Sequence, residues 1–240
     1  ATKEYRRRVI QLGEAPCSVF HVGALGLDGI RELKPFTRNQ LEQELGIKFD
    51  RRNLLVTFHP ATAEKNTGAV QFRNLLAVLE ELKQTQLIFT KSNADSGGRE
   101  INCLIDQYAR KNSWRTIAFA SLGQIRYWSL MKQVDAVVGN SSSGIIEAPS
   151  FKIGTIDIGD RQKGRVQAQS VIHCNPSRSD MRKALKLLYS GRFQEQLRAV
   201  TNPYGDGKTA KRIKSVFKRT NYQNLIPKKF FDIPAFEVRL

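Results

Sequence analysis

Seven short apolar runs, alternating with longer amphipathic stretches, predict an α/β fold built on a doubly wound parallel sheet of Rossmann-like type. The runs are Val19–Val22, Leu54–Phe58, Leu87–Thr90, Thr116–Phe119, Val134–Val138, Thr155–Ile158 and Ser170–Cys174, each four or five residues long. Most are near-continuously hydrophobic rather than alternating, as in strands buried on both faces of a parallel sheet. Small and polar residues follow several of them: His59-Pro60, Ser92-Asn93, the segment GNSSSG from Gly139, and Asp160-Arg161. These are carboxyl ends of strands, where open α/β sheets bind ligands. No G-x-G-x-x-G follows the first run, so a dinucleotide cofactor is not expected, and no other cofactor is predicted.

The composition sets the outer limits. A chain of 240 residues with 40% hydrophobic residues suits one large domain, or one domain with appendages, and supports a real core. No apolar run approaches the roughly 20 residues that span a bilayer. The amino end, TKEYRRRVIQLG, is charged and helix-like, unlike a signal peptide. Cys17, Cys103 and Cys174 are scattered and form no C-x-x-C pair. Reduced thiols, a cytoplasmic location and no metal site are the expectation. The net charge of +17 admits nucleic acid as a partner. Yet the basic residues are spread over RRR at Arg6, KGR at Lys163, KRIK at Lys211 and KK at Lys228, with no aromatic-interleaved motif. Nucleic acid is therefore not the expected ligand.

Taken in order, Lys3–Leu12 reads as a helix closed by Gly13, and Gly23 and Gly26 punctuate the turn after the first run. Thr37 caps a helix, TRNQLEQELG, whose Glu42 and Glu44 form a solvated face. The run ending at Phe58 delivers His59 to a strand end; the other histidines, His21 and His173, lie within apolar runs and read as structural. Thr67–Lys83 is a helix with Val70, Leu75, Leu76 and Leu79 spaced for one buried face. The loop KSNADSGGREI follows the next strand, with Asn93 and Asp95 in positions suited to turns and caps. After Phe119, AFASLGQIRYWSLM is a loop and helix in which Phe119, Tyr127 and Trp128 read as core. Helices follow at Ser179–Tyr189 and Arg192–Val200, and NPYGDGKTAKRIKSVF enters a basic helix. GDGK lacks Walker spacing, so it is not a P-loop.

The densest chemical signal runs from Val134 to Gln162, VDAVVGNSSSGIIEAPSFKIGTIDIGDRQ. A strand that turns through glycine and serines into a helix at Ile145 leaves unpaired N–H groups at the helix start. The helix dipole favours an anion there by roughly 0.3–1 kcal/mol. Ser141 and Ser142 are then either phosphate donors or plain N-caps. Glu147 lies one turn further in, and Arg161 follows the next strand.

GNSSSGIIEAPSF, followed by DIGDRQKGR, closely resembles the UDP-N-acetylglucosamine 2-epimerase family, and within it the hydrolysing branch that feeds sialic acid synthesis. VTFHPAT resembles that family's T-x-H-P segment and KSNAD its N-x-D-x-G segment, in the same chain order. The resemblance implies the carboxyl-terminal half of a glycosyltransferase-B-type two-domain fold, with UDP held between the domains. Residues 1–17 would close a mostly absent first domain, 18–203 would form the UDP-binding domain, and 204–240 would cross back to brace the first. The reaction implied converts UDP-N-acetylglucosamine to N-acetylmannosamine and UDP. A proton leaves sugar carbon 2 as UDP is expelled, and water adds to the resulting glycal from the other face. The same resemblance assigns His59, Ser141, Ser142 and Arg161 to the nucleotide or its phosphates and Glu147 to the ribose. It gives Asn93 to the nucleotide pocket and backbone groups near Ile117 and Phe119 to the uracil edge. His59 is the one candidate for a protonatable catalytic group, and no segment matches the family's acid–base carboxylates. The missing domain and further copies of the intact enzyme are the implied partners, and no metal is implied. Gly154, where the family often has proline, and Lys91-Ser92, in place of a commoner Phe-Pro, leave the sugar open. A non-hydrolysing epimerase or one acting on a diacetamido sugar is the alternative; a basic nucleic-acid-binding module is the rival of another class.

Overall fold

Six strands form one wholly parallel sheet: β1 (Arg52–Thr57), β2 (Thr85–Thr90), β3 (Thr116–Phe119), β4 (Ala136–Gly139), β5 (Gly154–Ile158) and β6 (Val171–Cys174). The computed structural model describes residues 1–60, 67–93, 97–223, 226 and 228–233. Its helices are α1 (Lys3–Gln11), α2 (Arg38–Leu45), α3 (Gly68–Glu80), α4 (Gly98–Lys111), α5 (Gly123–Met131), α6 (Ser142–Ile146), α7 (Arg178–Leu188), α8 (Gly191–Ala199) and α9 (Thr209–Arg219). The strand order is β3-β2-β1-β4-β5-β6. Growth of the sheet therefore reverses between β1 and β4, the point at which the loops leaving the carboxyl ends diverge and open a crevice.

Residues 32–202, carrying the sheet, form one compact unit, and residues 1–31 with 203–240 a second. In the sheet-bearing unit one face packs Leu54, Val56, Phe58, Phe89 and Val138 against Phe72, Leu75 and Leu79 of α3 and Ile101 and Ile105 of α4. These side chains lie at every second strand position, and they are almost fully buried. The opposite face holds a row at the carboxyl margin: Thr90, Thr57, Gly139, Asp157 and His173 stand side by side across β2, β1, β4, β5 and β6. Only glycine fits in the middle of that row. Its φ is +134°, and a Cβ there would lie 1.9 Å from the Thr57 carbonyl oxygen. Gly144 serves the same closeness on α6, where a Cβ would lie 2.6 Å from Thr155 Cγ2. Thr155 Oγ1 donates to the Gly144 carbonyl at 2.7 Å, which seats α6 on β5.

The predicted helix after Thr37 forms as α2, with a complete capping box and Gly46 in the left-handed conformation. Two expectations need correction. Val19–Val22 is not a strand. It lies in the unit without the sheet, and its flanking carbonyls are satisfied by arginines instead of a ladder: Arg6 Nε donates to Val19 at 2.7 Å and Arg212 Nη1 to Val22 at 3.3 Å. Val70 points outward, because the buried stripe of α3 runs through Ala69, Phe72, Leu75 and Leu79. The helix after the serines is only five residues long and continues as a 3-10 turn over Ala148–Phe151, since Pro149 has no N–H to extend it. In the terminal unit Asp28 caps α9 from a distance, accepting the N–H groups of Thr209 at 2.8 Å and Ala210 at 2.6 Å.

Gly139→Ala is expected to cost about 3 kcal/mol or more, because both φ and space forbid a Cβ. Gly191→Ala, with nothing within 4 Å, should be near neutral. Urea denaturation of the two variants checks this; equal midpoints would contradict it.

Candidate nucleotide site

The crevice between β1 and β4 is organised by Asn140, the residue following β4, which is 2% exposed. Its Oδ1 accepts the His59 N–H at 2.7 Å and its Nδ2 donates to the His59 carbonyl at 2.8 Å. Its own N–H donates to the Thr57 carbonyl at 3.2 Å. Its carbonyl accepts Gln162 Nε2 at 2.7 Å and Arg161 Nη1 at 3.1 Å. One side chain and one peptide thus tie together the carboxyl ends of β1, β4 and β5. The loop after β2 is held in the same way. Asn102 of α4 accepts the Ser92 N–H at 2.7 Å and donates to its carbonyl at 3.2 Å.

His59 meets that loop. Its Nδ1 accepts the Asn93 N–H at 3.3 Å and lies 3.3 Å from Ser92 Oγ. A ring nitrogen that accepts a backbone N–H carries no proton, so the neutral imidazole bears its proton on Nε2. This geometry makes His59 a hydrogen-bond donor at Nε2. Asn93 stands beside it through its own backbone; Asp95, the next polar residue of that motif, lies outside the described residues.

Across the crevice, Ser141 is the N-cap of α6, with its Oγ accepting from the Ser143 N–H at 3.4 Å. Ser143 Oγ donates to Ser141 Oγ at 3.1 Å and lies 2.6 Å from the Tyr127 hydroxyl. Burial pushes the Tyr127 phenol up to about 12, so it stays protonated. Because Ser141 Oγ accepts twice within the protein, its own hydroxyl hydrogen is left to donate outward. Glu147 ends α6, and its Oε2 accepts the Trp128 indole N–H at 2.9 Å. Burial raises the Glu147 carboxyl above its ordinary range, and the indole bond opposes that rise.

Ser141, Ser143, Glu147, Tyr127 and Trp128 line one cavity of about 430 Å³, with Thr57 and Thr90 at its floor and residues 120–124 along one wall. That volume suits a small organic ligand. Of the residues predicted from sequence, Ser141 and Glu147 line this cavity. His59, Asn93 and Arg161 sit at the adjoining strand ends, His59 and Arg161 joined through Asn140. Ser142 does not line it; Ser143 does. Ile117 and Phe119 do not line it either. The Phe119 carbonyl accepts the Lys91 N–H at 2.9 Å and Ile117 pairs with Ile88, so these peptides belong to the sheet ladder. The loop beyond them forms the wall. Trp128, read as core, is buried as expected, whereas Tyr127 is half-buried; both carry polar contacts into the cavity. Asn140 was passed over, although an asparagine between a strand and a serine run is a signal for such a clamp. Among the described residues no three His, Cys, Asp or Glu side chains come together to hold a metal ion, and no helix is long and apolar enough to cross a membrane.

A wholly parallel sheet with polar residues gathered at its switch point defines a Rossmann-like α/β domain. The chain belongs to the UDP-N-acetylglucosamine 2-epimerase family, whose sequence profile matches residues 1–218. It is 39% identical over 230 residues to the GDP/UDP-N,N'-diacetylbacillosamine 2-epimerase (hydrolyzing) of Campylobacter jejuni, covering 95% of this chain and 59% of that protein. It is 34% identical to the polysialic acid biosynthesis protein P7 of Escherichia coli, covering 98% and 60%. The chain therefore spans about three-fifths of the length of these relatives. Among solved structures, S. aureus MnaA with UDP superposes with a TM-score of 0.71 at 21% identity, over 97% of this chain and 62% of that one. UDP-GlcNAc 2-epimerase of Methanocaldococcus jannaschii with UDP-GlcNAc and UDP gives 0.69 at 17%, over 91% and 60%. At these identities the structural likeness is one of fold.

The raised Glu147 carboxyl has a sign that can be checked. Stability tied to it is complete below the ordinary carboxyl range and is lost as pH rises through the native value. Glu147→Gln keeps an acceptor for the indole and removes the buried charge. Its melting temperature should exceed the parent's at pH 8, with the gain vanishing near about pH 4, where the parent is protonated too. An unchanged or lower value at pH 8 would contradict the assignment.

Proposed function

We propose that this chain carries the nucleotide-diphosphate part of the site of a hydrolysing 2-epimerase acting on a UDP-linked 2-acetamido sugar. The observation that carries the reading is the meeting of His59, Asn93, Ser141 and Arg161 at successive strand ends around Asn140, with Glu147 lining the adjoining cavity that Ser141 also lines. A diphosphate needs several preorganised donors and no nearby carboxylate. The His59 Nε2–H, the Ser141 hydroxyl and the Arg161 guanidinium supply the donors, and Glu147 stands apart at the ribose. Residues 120–124 receive the base. A diacetamido sugar is the favoured substrate, since the C. jejuni relative and a Legionella pneumophila relative at 33% identity both bear the name of a diacetylbacillosamine 2-epimerase.

In the reaction a base takes the proton from sugar carbon 2. The C–H electron pair forms the C1–C2 double bond, and the C1–O pair leaves with the diphosphate. Water then adds at C1, and a proton returns to C2 from the opposite face. The groups in this chain serve the departing diphosphate. Donors already aimed at its oxygens stabilise the charge that develops as the C1–O bond breaks. Among the described residues Glu147 is the one carboxylate lining the cavity, so the proton transfers at C2 are assigned to the part of the relatives that this chain does not span.

Titration calorimetry of the 240-residue chain with UDP should give a dissociation constant near about 1 mM, a weak value for half of a cleft. UDP-sugar incubated with the chain should release no UDP. The reading falls if UDP at several millimolar gives neither heat nor protection against thermal unfolding. Turnover by the chain itself would show that the acid–base groups had been misplaced.

A further inference from the structure

We infer that Trp128 is a positioning residue that fixes the Glu147 carboxylate to read a ribose diol, so that the site prefers a ribonucleotide to its 2′-deoxy counterpart. The inference rests on the nucleotide reading proposed above and adds to it a residue outside the α6 segment.

Glu147 is held from one side only. Its Oε2 accepts the indole N–H of Trp128 at 2.9 Å, and among the described residues no arginine or lysine contributes to its electrostatic surroundings. A glutamate on the end of a five-residue helix has three side-chain torsions to settle, and nothing in α6 settles them. The indole does. Trp128 is 4% exposed, set in α5, and its ring has two torsions already locked by packing. With Oε2 engaged there, Oε1 and the second lone pair of Oε2 remain as acceptors toward the cavity.

A half-buried carboxylate with no cation beside it among the described residues selects its neighbour. It repels phosphate and accepts from neutral hydroxyls, and two adjacent hydroxyls match its two oxygens. The anion must then lie at the opposite end of α6, where the Tyr127–Ser143–Ser141 relay presents a hydroxyl donor. Tyr127 and Trp128 are consecutive in sequence, yet each supports a different end of α6. That arrangement gives the cavity a polarity, with the phosphate end beside the serines and the diol end beside the glutamate. A ligand that loses the 2′-hydroxyl leaves one acceptor of the half-buried Glu147 without that partner, which is the costly outcome.

The test compares UDP with 2′-deoxy-UDP on the whole chain, by calorimetry, for the parent and Trp128→Phe. The parent should bind UDP about tenfold more tightly than 2′-deoxy-UDP, and the variant should keep no more than about twofold of that preference. A merely structural role for Trp128 would weaken both ligands together and leave their ratio intact, and that result would overturn the inference. Equal binding of both nucleotides by the parent would overturn it too, while leaving the nucleotide reading in place; binding of neither would remove that reading and this inference with it. Should the variant fail to fold, the parent suffices. Its ¹⁵N-indole spectrum has two tryptophans, and Trp114 is 73% exposed, which makes it an internal reference. UDP should move the Trp128 indole signal at least twice as far as saturating 2′-deoxy-UDP does, and equal movement would overturn the assignment.

Discussion

The paired hydrogen bonds between Asn140 and the His59 peptide are the constraint on which the site depends. Strand ends at a switch point diverge, so their last peptides lose the ladder partners that the strand interior enjoys. At the end of β1 those groups lie buried beneath the crevice, where each unpaired one costs about 1–3 kcal/mol. A carboxamide, with an acceptor oxygen and a donor nitrogen side by side, replaces the missing ladder in a single residue. The same residue's carbonyl takes Gln162 and Arg161, so the position of the guanidinium follows from the position of the clamp. Gly139 must precede it, because only a residue without Cβ lets β4 pass the Thr57 carbonyl at that distance.

The anion-binding character proposed for the serine segment has a different origin from the one its sequence suggests. A helix of five residues carries little macrodipole, so the dipole contributes less than it would in a longer helix. The donors are instead oriented by side chains. Tyr127 points Ser143 at Ser141, whose hydroxyl hydrogen is left to face outward. The supporting residues come from α5, which places the chemistry of α6 under the control of a neighbouring element. A short helix braced in this way can be set close to a ligand without its own length dictating the angle of approach.

Much of this was legible in the chain. The six strands of the sheet follow from continuous apolar runs, and α2 from its Thr37 cap and Gly46 stop, since burial and capping are local signals. Ser141 and Glu147, singled out in a segment that is itself local, line the cavity. The misses share a cause. Val19–Val22 has the composition of a strand, but pairing requires a neighbour, and its carbonyls found Arg6 and Arg212 instead. Ile117 and Phe119 sit where backbone readers were expected, but strand alternation turned their peptides into the ladder. Asn140, Tyr127 and Trp128 act through partners 16 to 81 residues away, and sequence spacing carries no information about such contacts.

The central claim is that ligand seats at the carboxyl ends of β1 and β4, around Asn140. Backbone ¹⁵N–¹H shift mapping during a UDP titration tests it most directly. The account predicts that the largest shifts fall on His59, Asn93, Asn140, Ser141, Ser143 and Glu147, with Asn53, Thr85 and Ala136 at the amino ends of their strands unmoved. Shifts concentrated at those amino ends, or in residues 203–223 of the terminal unit, would contradict it.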